Sequence, residues 1–197
     1  MYSLFACKKR RNMQNESLIL DIQMFMAGLF ERFKMTIFPI SFTKNLDNLK
    51  SVTNICTVDF DKRIIFLNDF FDYSVNPPFL LFCLAHEVRH IYQWKQSTGE
   101  FRNDYVMPSG DDSEALMEEY RLQDEEVDAN AFAFLEINRL YGSINLDYGP
   151  KVMAKVKERM AWIEENEAFL FDKALLAYID EENRKFLASQ KAETPGD

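Results

Sequence analysis

Residues 84–94 read Leu-Ala-His-Glu-Val-Arg-His-Ile-Tyr-Gln-Trp and hold both histidines of the 197-residue chain. His86 and His90 stand four apart, and Glu87 directly follows the first. On an α-helix, positions four apart share a face one turn from each other, so both imidazoles can point at one ion. Glu87 is rotated aside, where its carboxylate can reach a metal-bound water without ligating the metal. Zinc lowers the pKa of such a water towards neutrality, and a nearby carboxylate can then take its proton. The chemistry this spacing suggests is hydrolysis by an activated water. The competing reading is a pair of core histidines, hydrogen-bonded to backbone or carboxylates, with no metal.

A catalytic zinc needs a third protein ligand beside its water. No histidine is left, so that ligand must be a carboxylate or a thiolate. Some zinc peptidases add a glycine and a third histidine on the turns after the motif; here those places hold Gln93 and Gln96. A helix is predicted over residues 113–140. At about 100° per residue, Leu122, Ala129, Ala133, Ile137 and Leu140 form one apolar stripe on it, with Glu126 in the middle. Glu125 and Asp128 point away from that stripe. A carboxylate centred among apolar residues is costly to bury unless it meets a cation. Glu126 is therefore the expected third ligand. Glu119, two turns earlier on the stripe, is its rival if the helix runs unbroken. Asn130, one turn after Glu126, can hold a ligating imidazole in its tautomer. Cys83 precedes His86 by about one turn and reads either as a thiol near the metal or as a buried structural cysteine. Arg89, on the same half-buried helix, can pair with an acidic neighbour, the usual structural role there, or with a substrate carboxylate, and the sequence assigns it to neither.

The elements that must carry these residues are legible in outline. A helix is predicted over residues 16–33, capped by Asn15. Three stretches rich in β-branched and aromatic residues follow, with turn residues at 45–48 and 61–62, and these predict a small sheet with Pro39 at an edge or strand end. Pro77 and Pro78 suit the first turn of the histidine helix. Residues 96–112 form a polar loop between the two ligand helices, either a lid or a plain connector. Helices are predicted over 150–165 and 167–187. The expected organisation is a basic arm over 1–14, one α+β domain over 15–145, a helical extension over 146–188 and a frayed tail over 189–197.

The net charge of −9 argues against a general nucleic-acid binder, which needs clustered Lys and Arg against phosphate. The single basic cluster, Lys8–Arg11, reads as a solvated arm. No stretch reaches the ~18 uninterrupted apolar residues of a membrane span. Three cysteines without paired spacing (Cys7, Cys56 and Cys83) suggest a reducing compartment, hence a cytoplasmic protein with no membrane or direct nucleic-acid partner.

His-Glu-Val-Arg-His at 86–90, followed by Glu-Val-Asp-Ala-Asn-Ala-Phe-Ala at 126–133, resembles the ImmA/IrrE-like metallopeptidases, a gluzincin family. The second motif of that family reads approximately Glu-x-x-Ala-Asn/Asp-x-Phe-Ala, and Glu126, Ala129, Asn130, Phe132 and Ala133 match it in register. The order of elements over 16–141 is similar as well. The resemblance implies a zincin-like α+β fold, with a small β-sheet packed on an active-site helix and, here, additional C-terminal helices. It also implies zinc held by His86, His90 and Glu126, with Glu87 as general base, and a protein or peptide substrate such as a transcriptional regulator. Gluzincins generally use a further donor, often Tyr or His, for the developing oxyanion. Tyr92, Tyr105 and Tyr120 are the nearest tyrosines in sequence, and nothing in the sequence selects among them. The expected function is that of a cytoplasmic zinc metallopeptidase. The alternative is a non-catalytic metal-binding scaffold that serves as a protein-interaction module.

Overall fold

A computed structural model of the chain describes residues 13–73, 75–99 and 114–193. The basic cluster Lys8–Arg11, Cys7, Tyr105, most of the loop over 96–112 and the end of the tail lie outside the described residues.

Helix α1 (Met13–Arg32) buries Ile22, Met26, Leu29 and Phe30, the spacing of one helical face. It begins earlier than its sequence suggests, so Asn15 lies inside the helix instead of capping it. Strand β1 (Ile40–Thr43) follows Pro39, whose carbonyl accepts from the Ile65 N–H. A single helical turn, α2 (Leu46–Leu49), is capped by the Asn45 side chain, which accepts from the Asp47 N–H. Strands β2 (Cys56–Asp59) and β3 (Ile64–Asn68) complete a three-stranded mixed sheet in the order β1-β3-β2. β1 runs parallel to β3 with Ile40 opposite Ile65, and β2 runs antiparallel with Cys56 opposite Leu67. The central strand buries Ile65, Phe66, Leu67 and Asn68.

Helix α3 (Pro77–Gln96) carries both histidines. The Asn76 side chain accepts from the Phe79 N–H, and the two prolines occupy first-turn positions where no N–H partner is required. The long helix expected over 113–140 is two helices, α4 (Glu114–Arg121) and α5 (Asp124–Tyr141). Gln123 takes an extended conformation at the break, and Asp124, Glu125 and Glu126 fill the first turn of α5. Three acidic residues there favour a fresh helix N-terminus. The break removes the condition on which Glu119 depended. α5 stops at Gly142, whose φ of +82° suits glycine and whose N–H bonds to the Asn138 carbonyl.

Helix α6 (Pro150–Asn166) buries Val152, Val156 and Ile163, and packs along α5. A short 3₁₀ turn (Ala168–Phe171) buries Leu170, and α7 (Lys173–Glu193) then docks on α1. The approach is tight: a Cβ at Gly28 would come within 3.0 Å of the Ile179 side chain. α7 runs to Glu193, so the first part of the expected tail is helical.

The fold is thus α+β: seven α-helices and one small mixed sheet among the described residues. One hydrophobic cluster joins α1, the sheet, α3, α5 and α6, and it runs across the boundary expected between residues 145 and 146. Aromatic rings fill much of it, with Phe33 against Phe132 at 5.0 Å and Phe82 edge-on to Phe134 at 5.0 Å. Among the described residues no helix is long and apolar enough to cross a membrane. The most extensive helix contact is α3 on α5, the pair that carries the candidate ligands.

Candidate metal centre

His86 and His90 project from α3, and Glu126 from the first turn of α5. The two Nε2 atoms lie 2.9 Å apart. Glu126 Oε1 is 3.0 Å from His90 Nε2, and its Oε2 is 3.4 Å from His86 Nε2. Ligands bonded to a tetrahedral zinc at about 2.0–2.1 Å stand about 3.3 Å from one another. The two imidazole nitrogens and the carboxylate are therefore spaced as ligands on one face of such a tetrahedron would be. His90 and Glu126 are buried, while His86 is half-buried. This is the one group of three His, Cys, Asp or Glu side chains among the described residues that could hold a metal ion.

The protons sharpen the argument. The Gln93 amide nitrogen donates to the Glu125 carbonyl at 2.9 Å and to Asp128 Oδ2 at 2.8 Å. The amide oxygen is therefore the atom 2.8 Å from His90 Nδ1, which must donate to it. On the other ring, Asn130 Oδ1 accepts from His86 Nδ1 at 3.1 Å. With both N–H groups committed outward, two Nε2 lone pairs and a carboxylate face one another. Such a set is repulsive until something positive enters it, a metal ion or a proton.

The charge balance agrees. Burial pushes the His86 pKa down to about 4. Burial acts the same way on His90, but the Glu126 carboxylate outweighs it and takes the His90 pKa up to about 9. Without metal, the cluster at neutral pH thus holds one proton, on His90, close to where a cation would sit. The donor set of two imidazoles and a carboxylate suits zinc, although it also suits other divalent ions.

Glu87 stands beside the triad without joining it. Its carboxylate accepts from the Cys56 thiol at 3.9 Å and from the Val58 backbone N–H, both on edge strand β2. Burial pushes its pKa up to about 7, a useful position for a group that must take a proton and give it back. His86, Glu87, Glu126 and Asn130 open together into one cavity of about 310 Å³. Cys83 also lines it, but hydrogen-bonds with Cys56 instead of completing the triad.

Of the three tyrosines considered, Tyr120 lines the cavity. Tyr92 does not: its ring stacks on Phe33 at 4.5 Å, with the Arg89 guanidinium over its face at 5.0 Å. Tyr148, which sequence reasoning passed over, also lines the cavity, and burial raises its phenol well above the ordinary value. It lies on the loop after α5, where no local pattern marks it.

A second buried cluster was not anticipated in this form. Asp128 does point away from the apolar stripe of α5, but not to solvent, because α5 is buried from Glu126 to Leu135 on all sides. Arg89 grips Asp128 with two hydrogen bonds of 2.7 and 2.9 Å, and Glu167 with two more of 2.6 and 3.0 Å. Arg159 of α6 adds a bond of 2.7 Å to Asp128. Gln93 joins this cluster to the metal centre, holding Asp128 with its nitrogen and His90 with its oxygen.

Comparison with family models, curated proteins and solved structures returned no match for this chain.

Proposed function

We propose that this chain is a zinc-dependent metallopeptidase of zincin-like fold that hydrolyses a peptide bond in an intracellular protein. One observation carries the reading: His86, His90 and Glu126 bring three potential metal ligands to one point, and Glu87 opens into the same cavity. The resemblance of residues 86–90 and 126–133 to the ImmA/IrrE-like metallopeptidases supports it independently of geometry. By the same resemblance the substrate is a regulatory protein such as a transcriptional regulator, and the sparse, unpaired cysteines favour the cytoplasm as the compartment.

His86, His90 and Glu126 would hold zinc, with Asn130 and Gln93 fixing the ring tautomers. When bound, the ion supplies Lewis acidity towards a carbonyl and an attacking water. Glu87 takes the proton of that water and returns it to the departing amine. Tyr120 and Tyr148, on the cavity wall, are placed to donate to the oxygen on which negative charge develops. β2 forms one edge of the sheet beside Glu87, where an extended peptide can add as a further strand.

A second reading has an observation of its own. Trp162, Phe169 and Tyr178 are exposed on the C-terminal helical segments, as on a surface that docks a partner. The protein would then be a non-catalytic scaffold. Metal analysis of tag-free protein, wild type and Glu126→Ala, together with peptide cleavage by wild type and Glu87→Gln, separates the readings. The peptidase reading expects about one zinc per chain, lost in Glu126→Ala, and cleavage abolished in Glu87→Gln with zinc retained. A biological effect that survives Glu87→Gln would favour the scaffold. A wild type that takes up no metal from added zinc would sink both metal readings.

A further inference from the structure

The hydrolytic chemistry proposed above gives no role to Arg121 on the cavity wall. Arg121, the last residue of α4, lines the cavity together with His86, Glu87 and Glu126. It is half-buried. Its guanidinium lies over the Tyr148 ring, 5.2 Å from the centroid, and Tyr148 is in turn braced edge-on against Phe134 at 6.4 Å. A cation–π contact of this kind holds the guanidinium beside the ring without consuming its N–H groups. Among the described residues no carboxylate pairs with Arg121, and Glu118, the acid one turn back on α4, is engaged by Lys151 at 3.0 Å.

This sets Arg121 apart from the other arginines buried near the site. Arg89 has two carboxylates, Arg32 has Glu136, and Arg159 has Asp128. In a chain of net charge −9, a half-buried arginine without an acidic partner is unusual. A guanidinium fixed in this way offers two parallel N–H donors, the geometry that matches a carboxylate.

We infer that Arg121 and Tyr148 form a carboxylate-recognition subsite beside the metal centre, selecting substrates that carry an acidic group close to the scissile bond. The inference rests on the peptidase reading and adds a substrate class to it. Two sources share this chemistry: an Asp or Glu side chain, and the C-terminal carboxylate of a short peptide. The cavity of about 310 Å³ is at the small end of ligand sites, which favours a group within a residue or two of the metal.

The test uses two pairs of peptidyl hydroxamates on zinc-loaded full-length protein, with affinities read by calorimetry. One pair differs as Glu against Gln in the side chain next to the zinc-binding group. The other differs as a free against an amidated C-terminus. The inference expects the carboxylate member of one pair to bind about tenfold more tightly, as a charge-assisted hydrogen bond would give. Whichever pair shows it identifies the source. In Arg121→Met that ratio should fall to about one, and in Arg121→Glu a lysine-bearing probe should become the preferred one. Equal affinities within both pairs in wild type overturn the subsite alone, as does a preference that survives Arg121→Met. Failure of every hydroxamate to bind overturns the metal reading together with it.

Discussion

Two charged clusters lie next to each other on the same pair of helices, and they are built on opposite principles. Arg89, Asp128 and Glu167 form a closed set, with four hydrogen bonds from the guanidinium alone and aromatic faces of Phe33, Tyr92 and Phe132 around it. His86, His90 and Glu126, starting one residue away on α3 and two on α5, bring two imidazoles and a carboxylate to one point, with a proton on His90 between them at neutral pH. The first cluster needs nothing from outside and serves the fold. The second converges three side chains that could hold a metal ion. Charge clamped between a guanidinium and two carboxylates serves structure, whereas converging ligand atoms make a candidate site.

The sharpest way to break the comparison is to remove the cation of the closed cluster. Arg89→Met leaves Asp128 and Glu167 buried without their main partner, and should cost about 3–5 kcal/mol in urea unfolding. A loss below about 1 kcal/mol would mean that the cluster is not the closed structural unit its geometry describes.

The corresponding change in the open cluster should act on the metal more than on the fold. Glu126→Ala is expected to weaken zinc binding beyond the ~100-fold that loss of a supporting hydrogen bond costs. Its metal-free form should unfold closer to wild type than Arg89→Met does. Equilibrium dialysis against a zinc indicator measures the first quantity and urea titration the second.

Gln93 is bonded to both clusters, so Gln93→Met tests whether they communicate. It keeps the side-chain volume but frees His90 Nδ1. Zinc affinity of the folded protein should drop about 10–100-fold. An unchanged affinity with lowered stability would show that Gln93 serves packing alone.

The smallest effect is graded with pH. His90 must shed its proton to bind metal, so below about pH 9 each unit of acidification should lower zinc affinity about tenfold. The metal-free protein shows the same linkage in its stability. The His90 pKa is raised above its unfolded value, so its contribution is fully present below about pH 6.5 and is lost as pH rises through about 9. Glu87, pushed up to about 7, acts in the same sense at lower pH, its contribution fully present below about 4.5 and lost as pH rises through about 7. Zinc should therefore raise the melting temperature more at pH 8.5 than at pH 6.5. A zinc-induced shift that did not depend on pH would contradict the placement of the proton on His90.

What the sequence made legible follows from how far each signal reaches. His86, Glu87 and His90 are encoded by spacing on a single helix, and Glu126 and Asn130 by their position in an apolar stripe. The α+β class follows from the alternation of helical and strand-like stretches. The break between α4 and α5 was hidden, because the apolar period continues through Leu122 and no Gly or Pro interrupts it. Arg89 gave a hint of an ion pair, but its partners lie 39 and 78 residues away and nothing local names them. Gln93 read as a missing ligand, although its amide is what aims one. The parallel pairing of β1 with β3 has no local signature either, since it passes over β2 in the chain.

The reach from Arg89 to Glu167 also sets an order of events during synthesis. A chain leaving the ribosome from its N-terminus has both ligand helices in hand before Glu167 is made. Until that residue arrives, Arg89 has only half of its clamp, and the side of α5 that α6 covers is open to water. Domains settle as units once their last packing partner has emerged. The side of α5 next to the candidate metal centre is thus closed only after α6 and Glu167 have joined it.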